Sequence, residues 1–418
     1  MAQHARPSRR LIVLGSTGSI GVNTLAVVDH LRALNLFEFE VVGLAAGANA
    51  ALLADQAMRQ RTNHLAIADE SQASGLSAFR HVHAGPDSAL KLVRDIAQPG
   101  DLVLGAMVGS AGIPAILEAI DRGCDIALAN KETLVAAGSL VMPKVRQRGV
   151  QLLPVDSEHS AVFQCLEEHA IGAQSLRTDR HASIDTTSVR RIVLTASGGP
   201  FRTWPKSRIN QATVEQALNH PTWNMGPKVT IDSASLMNKA LEIIEAHWLF
   251  DMPSEKIEVI IHPQSIVHSF VEYVDGSIIA QLGPPDMRTP IQYALTWPLR
   301  LEGCSRRMDW ANVRNMEFEP VDHERFAALR LAYRVIESGG TAGAVFNAAN
   351  EAAVAEFLAR RIPFGQIPTL VQQALDAIEP TPVRTLDDVH KADRAARRFV
   401  EDAVESGASM RQNVETPT

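Results

Sequence analysis

"RLIVLGSTGSIGVNTLAVVDHLRAL", residues 10–34, decides the fold class of this chain. The apolar run "LIVL" predicts a buried strand, the glycine-rich loop 15–21 follows it directly, and the pattern after the loop predicts a helix. Glycines at such a turn let the backbone approach a pyrophosphate, which also gains from the free N–H groups at the start of a helix. The stretch therefore predicts a dinucleotide-binding unit, with a purely structural turn as the alternative.

Strand-like and helical segments keep alternating up to "GVQLLPV", residues 149–155. Repeated strand, helix, strand patterns predict a parallel sheet with helices on both faces, so the fold class is α/β with an N-terminal doubly wound, Rossmann-like sheet. The second strand ends in "AAGANA" without the acid that usually holds the ribose of NAD, which favours NADP. Arg59 and Arg61 are the candidates for contact with a 2′-phosphate.

The rest of the chain predicts three further parts and a tail. Residues 156–290 have an α+β pattern and form the catalytic, connective domain, with a lid at about 198–227, and residues 291–322 are a linker. Residues 323–405 predict a C-terminal helical bundle, and residues 406–418 a disordered tail.

Composition excludes several classes of protein. The 418 residues are 46% hydrophobic with a net charge of −7, and no basic block could follow a nucleic-acid backbone. No apolar run is long enough for a signal peptide or a membrane span, so no nucleic-acid or membrane partner is expected. Cys124, Cys165 and Cys304 form no CxxC pair, which predicts three buried thiols in a reducing compartment, the cytoplasm.

"LLPVDSEHSAVFQCL", residues 152–166, places Asp156 and Glu158 after the last strand of the sheet. Open α/β sheets bind ligands at that edge, and carboxylates are hard oxygen ligands for Mg²⁺ or Mn²⁺. The alternative is structural: Asp156 or Ser157 caps the following helix, and Glu158 suits the helix dipole.

A third ligand is expected from "SLMNKALEIIEAHWLF", residues 235–250, which is apolar except for one narrow stripe. Asn238, Glu242 and Glu245 form that stripe, with Lys239 beside them. One interpretation is a solvent-facing strip with a weak ion pair. The other is a mostly buried helix that presents an amide, an ammonium and a carboxylate to a pocket.

A long irregular loop precedes this helix and predicts a lid, since such loops are uncommon in compact domains without a function. Trp223 is best explained if it closes over a ligand; the alternative is that it packs on a neighbouring surface. Ser233 with Asn238 and Lys239 suits a phosphate group. His220 stands beside the lid, whereas His262 and His268 fit no metal-ligand spacing and are expected in the core or on the surface.

Seven stretches together resemble one family. They are "GSTGSIG", "LANKE", "PVDSEHSAVFQCL", "TASGGPF", "ALNHPTWNMGPKVTIDSASLMNKALEIIEAHWLF", "HPQSIVHSFVEY" and "NAANEAAVAEFL". The chain is similar to 1-deoxy-D-xylulose 5-phosphate reductoisomerase over about residues 10–400. The resemblance implies rearrangement and NADPH-dependent reduction of that phosphorylated sugar to 2-C-methyl-D-erythritol 4-phosphate, in isoprenoid precursor synthesis by the non-mevalonate route. It also implies a divalent cation (Mg²⁺ or Mn²⁺), a homodimer and a mobile lid.

The resemblance also implies the site residues. The metal ligands are Asp156, Glu158 and Glu242, and with Lys131 they form the catalytic set. The implied substrate contacts are Lys131, Ser157, Glu158, Ser197, His220, Trp223, Ser233, Asn238, Lys239 and Glu242. The implied coenzyme positions are Thr17, Gly18, Ser19, Ile20, Gly47, Ala48, Asn49, Asn130, Glu132 and Gly226. Lys239 is expected to grip the phosphate some distance from the metal.

Two stretches depart from the family pattern. Family members often carry a basic residue where this chain has Ala48, and residues 171–190 are longer than expected and have no assigned role.

Two other functions remain open on the residues alone. A semialdehyde-type dehydrogenase would need a cysteine beside a base, and a non-catalytic NADP-binding sensor would tolerate loss of the acidic triad.

Overall fold

The computed structural model describes residues 7–167, 186–223, 225–313 and 315–414. Most of the stretch 171–190 therefore lies outside the described residues. The chain forms two sheets and a C-terminal group of helices, as the sequence predicts. Within these described ranges, no helix combines the length and the apolar character needed to cross a membrane.

The N-terminal domain is a seven-stranded sheet in which every pair of neighbouring strands is parallel. Its elements are β1 (Ser8–Leu14), α1 (Ser19–Ala33), β2 (Glu38–Ala46), α2 (Ala50–Gln60), β3 (His64–Ile67), β4 (His81–Ala84), α3 (Ser88–Ile96), β5 (Leu102–Gly105), α4 (Ile113–Asp121), β6 (Asp125–Leu128), α5 (Glu132–Arg148) and β7 (Leu152–Pro154). The strand order is β4-β3-β2-β1-β5-β6-β7. The order reverses between β1 and β5, so the crevice at their carboxyl ends is the expected ligand site.

The central domain holds a five-stranded mixed sheet in the order β11-β10-β8-β9-β12. Its elements are α6 (Ser157–Glu167), β8 (Val189–Ala196), α7 (Lys206–Ile209), α8 (Val214–Leu218), α9 (Pro227–Ala234), α10 (Met237–Phe250), β9 (Ile257–Ile261), β10 (Val267–Tyr273), β11 (Ile278–Leu282), α11 (Arg288–Thr296) and β12 (Glu319–Pro320). Helix α6 packs on β10 and β11, while α10 packs on α5 of the first domain. The two domains therefore meet where α5, α6 and α10 come together.

The C-terminal helices are α12 (Ala328–Ser338), α13 (Ala342–Leu358), α14 (Gln366–Ala377) and α15 (Leu386–Val414). Helix α13 packs against α5, α14 and α15, and it is buried along most of its length. A side chain at Gly343 would come within 1.9 Å of the carbonyl oxygen of Val135 in α5. Helix α13 of the C-terminal domain therefore packs closely against the start of α5 in the N-terminal domain.

Several local expectations are corrected. The predicted linker 291–322 contains all of β12 and most of α11. Pro290 does not break α11, because it lies in the first turn of the helix, where the N–H groups have no intrahelical partner. The predicted lid loop contains α7 and α8. Residues 406–414 are helical where a disordered tail is predicted, because extending an existing helix costs much less than starting one.

Candidate active site

The three predicted metal ligands come together at the junction of the two sheets. Asp156 lies between β7 and α6, Glu158 lies in the first turn of α6, and Glu242 lies on α10. Their carboxylate oxygens lie within 4.8 Å of one another. Three carboxylates at this spacing form an oxygen donor set that fits Mg²⁺ or Mn²⁺.

Two lysines stand among these acids. The Lys131 ammonium pairs with Asp156 and lies 3.1 Å from Glu242 Oε1. The Lys239 ammonium lies 2.7 Å from Glu158 Oε1 and pairs with Glu242 as well. The expectation that Lys239 stands apart from the metal ligands is therefore wrong. Lys239 and Glu242 are three residues apart on one helix, so both side chains reach the same pocket.

The charges in this cluster shift one another's pKa values. Burial raises the pKa of Asp156, but the neighbouring positive groups, of which Lys131 has the largest effect, together outweigh burial and lower it. Burial, followed by the neighbouring Glu158 carboxylate, raises the pKa of Glu242 to about 7. Glu242 thus ionises with difficulty unless further positive charge is close, which is the environment expected of a cation ligand.

Helix α10 is the buried helix of the second interpretation rather than a solvent-facing strip. Lys239 is 3% exposed, and Glu242 and Glu245 are 1% and 0% exposed. Asn238 is half-buried; it donates to Glu242 Oε1 and accepts from Lys131 at 3.0 Å. The polar stripe of the sequence therefore faces the pocket.

His159 is a buried contact that the sequence analysis missed. Its Nε2 lies 2.9 Å from the backbone oxygen of Glu242 and must donate a proton to it, so Nδ1 is the unprotonated nitrogen. Burial lowers the pKa of His159 to about 4 and raises the pKa of Glu245 well above its usual range. Glu245 Oε2 lies 3.4 Å from His159 Nδ1, so the two side chains share the buried space between α6 and α10. The pair braces α6 against α10 behind the metal ligands.

The predicted phosphate contacts lie on neighbouring segments. Ser197 follows β8, and Ser233 is in the last turn of α9. A side chain at Gly199 would come within 2.7 Å of the backbone oxygen of Ser233, so the loop after β8 lies directly against α9. The structure thus brings together the two backbone segments that carry the serine hydroxyls.

His220 has a defined tautomer. Its Nδ1 accepts hydrogen bonds from the backbone N–H groups of Thr222 (3.1 Å) and Trp223 (2.9 Å). Nε2 must therefore carry the proton, which it donates to Ser197 Oγ at 3.1 Å. Burial lowers the pKa of His220, which favours this neutral form. The hydroxyl hydrogen of Ser197 is then left for a ligand.

Trp223 is half-buried, and its ring centroid lies 6.4 Å from that of His268. His268 and His262 are both buried, which is one of the two placements expected for them. His268 had no spacing signal in the sequence, because it approaches the pocket from β10, far along the chain from Ser157 on the same cavity. Trp223 therefore lies over the second sheet, at the side of the carboxylate cluster.

The first half of the predicted lid is held by the C-terminal domain. Phe201 packs edge-on against Phe364 at 5.1 Å between ring centroids, and the backbone N–H of Gly365 donates to the oxygen of Asn210 at 3.2 Å. Arg325 donates to the backbone oxygen of Trp204 at 3.0 Å. The segment without such anchors begins near His220.

The glycine-rich loop has the geometry of a pyrophosphate site. A side chain at Gly15 or Gly21 would lie within 2.4 Å of backbone atoms, whereas one at Gly18 would meet only Gly15 O, at 3.5 Å. Gly18 is the N-cap of α1 and no side chain caps that helix end. The N–H groups of Ser19 and Ile20 are at the start of α1, with Thr17 in the loop before it.

The predicted contacts to the adenosine half of the coenzyme directly follow β2 in the chain. Asn49 caps α2 through a 3.1 Å hydrogen bond from Leu52 N, and Gly47 has open space where a side chain would be. Ala48 is exposed beside them. Arg59 and Arg61 are at the opposite end of α2, about 16 Å away, and line a cavity with Glu38 at the start of β2. They are therefore too far away to contact a 2′-phosphate near Ala48.

Asn130, Glu132 and Gly226 lie on the other side of the crevice. Asn130 follows β6 and donates to the backbone oxygen of Gly109 at 3.0 Å, and Glu132 opens α5. Glu132 also pairs with Lys228, two residues after Gly226, at 2.9 Å. Sequence reasoning assigned Lys228 no role, since one of its two partners, Glu132, comes from another domain.

The cysteines do not support the dehydrogenase alternative. Cys124 and Cys165 are buried as expected, while Cys304 is only half-buried because it lies in an irregular surface stretch. Burial, followed by Asp101, raises the pKa of Cys124 to about 12, which leaves it unreactive.

Comparison with known proteins agrees with this geometry over nearly the whole chain. The family model for 1-deoxy-D-xylulose 5-phosphate reductoisomerase matches residues 11–138, and models for its C-terminal domains match residues 152–250 and 282–399. The reductoisomerase of Symbiobacterium thermophilum is 51% identical over 93% of this chain and 96% of its own length. That of Chloroherpeton thalassium is 45% identical over 95% of this chain and 99% of its own.

Solved structures of this enzyme have the same fold. The Zymomonas mobilis enzyme in complex with NADPH is 43% identical, with a TM-score of 0.83 over 96% of this chain and 100% of that one. A DOX-P reductoisomerase in complex with NADPH, fosmidomycin and magnesium is 35% identical, with a TM-score of 0.87 over 95% of this chain and 98% of that one. The chain therefore belongs to the 1-deoxy-D-xylulose 5-phosphate reductoisomerase family.

Proposed function

We propose that this protein converts 1-deoxy-D-xylulose 5-phosphate to 2-C-methyl-D-erythritol 4-phosphate with NADPH and a divalent cation. The observation that carries this function is the cluster of Asp156, Glu158 and Glu242 at the ligand edge of a dinucleotide-type sheet. The reaction needs a hydride donor and a charged site that binds vicinal oxygens. The coenzyme crevice and the carboxylate cluster would supply these at the same edge of the first sheet.

Asp156, Glu158 and Glu242 would hold the cation. Bound there, it would supply Lewis-acid chemistry to the carbonyl and hydroxyl oxygens of the substrate. Lys131 and Lys239 contact the same carboxylates, so an anionic substrate oxygen close to the cluster meets two ammonium groups. These lysines offset negative charge that develops on the substrate.

The phosphate would lie against the segments of Ser197 and Ser233, with Asn238, Ser157 and His220 nearby. The proton that His220 donates to Ser197 Oγ leaves the serine hydroxyl to donate in turn. A hydroxyl donor suits a phosphate oxygen, which is an acceptor only.

NADPH would supply the hydride from the crevice above β1 and β5. The loop of Thr17, Gly18, Ser19 and Ile20 binds its pyrophosphate, and Gly47, Ala48 and Asn49 line the adenosine end. Asn130, Glu132 and Gly226 line the nicotinamide end. Since these residues sit on both sides of the reversal in strand order, the coenzyme spans the sheet.

The chain would work as a homodimer in the cytoplasm. Strand β11 is the outer strand of the second sheet; Ile278 at its start is 62% exposed, and Val274 in the turn before it is 69% exposed. An exposed apolar edge strand suits pairing with a second copy. The buried free thiols of Cys124 and Cys165 suit a reducing compartment.

Loss of NADPH absorbance with 1-deoxy-D-xylulose 5-phosphate tests the function. We expect consumption with Mg²⁺, none with a chelator, and 2-C-methyl-D-erythritol 4-phosphate as the product by mass spectrometry. The same assay with NADH measures the coenzyme preference that accompanies Ala48. Folded protein that binds NADPH but consumes none under any of these conditions would be a coenzyme-binding sensor instead.

A further inference from the structure

Lys228 is a half-buried cation in the first turn of α9, directly after the lid. Its ammonium lies 2.9 Å from Glu132 Oε1 and 2.9 Å from Asp232 Oδ2. Burial alone would lower the pKa of Lys228, but the Asp232 and Glu132 carboxylates raise it. Lys228 therefore stays charged and pairs with two buried carboxylates at once.

The partners of Lys228 link three parts of the molecule. Glu132 opens α5 of the coenzyme domain, and Asp232 lies on α9 of the central domain. Asp232 Oδ1 accepts a 2.9 Å hydrogen bond from Asn350 on α13 of the C-terminal domain, and both side chains are fully buried. Lys228 and its partner Asp232 thus link α5, α9 and α13.

On one side, this network reaches the nicotinamide half of the crevice. Glu132 Oε2 accepts from Asn130 Nδ2 at 3.2 Å, and the same nitrogen donates to Gly109 O at 3.0 Å and to Met107 O. Met107 and Gly109 follow β5, and Asn130 follows β6. A dinucleotide that crosses the sheet at β1 has its second half over these strand ends.

On the other side, the network reaches the substrate site. Helix α9 continues from Lys228 to Ser233, and α10 begins three residues after α9 ends. Lys131, the neighbour of Glu132, contacts both Asp156 and Glu242. The residues that would line the nicotinamide site and those that would line the substrate site are therefore both connected to Lys228.

We propose that Lys228 is a positioning residue that sets the distance between the nicotinamide ring and the substrate. The proposal rests on the proposed reductoisomerase function. Hydride transfer requires donor and acceptor carbons in near contact, and a displacement of about 1 Å can cost roughly 100-fold in rate. Without the Lys228 charge, Glu132 and Asp232 are two buried acids with no shared cation, so α5 and α9 should move apart.

The test uses Lys228→Met with NADPH and with NADPH carrying deuterium at the transferred position. We expect kcat to fall about 10- to 100-fold, while KM for the sugar phosphate stays within about 3-fold. We also expect the isotope effect on kcat to rise, because hydride transfer becomes slower than product release. A purely structural ion pair would change thermal stability without raising the isotope effect.

Lys144→Met is the matched control. Lys144 also lies on α5 and pairs with one acid, Asp121, at 2.7 Å, far from the crevice. Its removal should leave kcat and the isotope effect unchanged. Asn350→Ala is the milder second variant, since it removes the brace on Asp232 without changing any charge. It should raise the isotope effect with a smaller fall in kcat.

Each outcome decides between the claims. A folded Lys228→Met variant with the kcat and isotope effect of the unmodified protein overturns the positioning role. If Lys228→Met does not fold, an Asn350→Ala variant with unchanged kcat and isotope effect overturns it as well. Absence of NADPH consumption by the unmodified protein would instead reject the reductoisomerase function on which the inference rests.

Discussion

Gly18 and Gly21 occupy the same loop but meet different surroundings. A side chain at Gly21 would come within 2.3 Å of Gly15 O and 2.4 Å of Ser16 Cα, whereas one at Gly18 would meet only Gly15 O at 3.5 Å. Gly21 is thus required by the fold, and Gly18 is free to serve a ligand.

We therefore expect Gly18→Ala to fold with an unchanged melting temperature but to bind NADPH at least 10-fold more weakly, about 1.4 kcal/mol. Gly21→Ala should instead lower the melting temperature, since the backbone around Ser16 must shift. Thermal melts and NADPH titration monitored by fluorescence measure both effects. Equal NADPH affinity of Gly18→Ala and the unmodified protein would contradict a pyrophosphate site in this loop.

Glu242 is the ligand whose environment is most specific. It is 1% exposed and contacts Asn238, Lys131 and Lys239. Glu242→Gln keeps the shape, removes one of the three charges available to a cation, and replaces one acceptor oxygen by an amide group that cannot accept from the neighbouring lysines. We expect metal-dependent turnover to fall by about 100-fold or more, while NADPH affinity in the absence of metal is unchanged. Full activity in this variant would remove Glu242 from the ligand set.

At the scale of elements, the lid divides into two parts. Residues 201–215 are anchored to the C-terminal domain, the last of them through an ion pair with Arg360. In the described part of the lid after Glu215, no hydrogen bond, ion pair or ring contact joins the lid to that domain. We infer that only the second part moves when a ligand binds.

Trp223→Ala should raise KM for the sugar phosphate by about 10-fold, or about 1.4 kcal/mol, because the ring no longer covers the bound substrate. Trp310→Ala is the matched control, since Trp310 is 63% exposed and lies outside the site; it should leave KM unchanged. Steady-state kinetics compares the two, and an unaltered KM in Trp223→Ala would exclude the lid role.

The sequence pattern of α10 does not by itself decide what its polar face contacts. The stripe of Asn238, Glu242 and Glu245 on α10 fits a solvent-facing strip as well as a pocket wall, because both have one polar face. The packing of α10 against α5 and α6 buries that face. Helix α11 was not predicted, because its proline and its short length favoured a linker, but in the structure it is a packed helix.

For the whole molecule, the cation should act as a stabilising ligand. A cation present at 100 times its dissociation constant adds about 2.7 kcal/mol to the free energy of unfolding. The pKa of Glu242 is about 7 in the folded chain and about 4.3 in an unfolded one, so without metal its ionisation costs stability as pH rises between these values. We expect the shift in melting temperature caused by Mg²⁺ to be larger at pH 8 than at pH 6, because protons then compete less for Glu242. An equal shift at both pH values would contradict this coupling, and calorimetry with and without a chelator measures it.

The sequence by itself determined the parallel sheet, the position of the pyrophosphate loop, and the carboxylate pair at the ligand edge. These depend on hydrophobic period and turn chemistry, which act over a few neighbouring residues. Resemblance to a family added the residue assignments. Tertiary structure decided that Lys239 contacts two of the proposed metal ligands, that Arg59 and Arg61 lie at the end of α2 far from Ala48, and that Lys228 with Asp232 links three domains. Such contacts link residues far apart in the chain, and only the packing of whole helices and sheets against a shared core brings them within reach of one another.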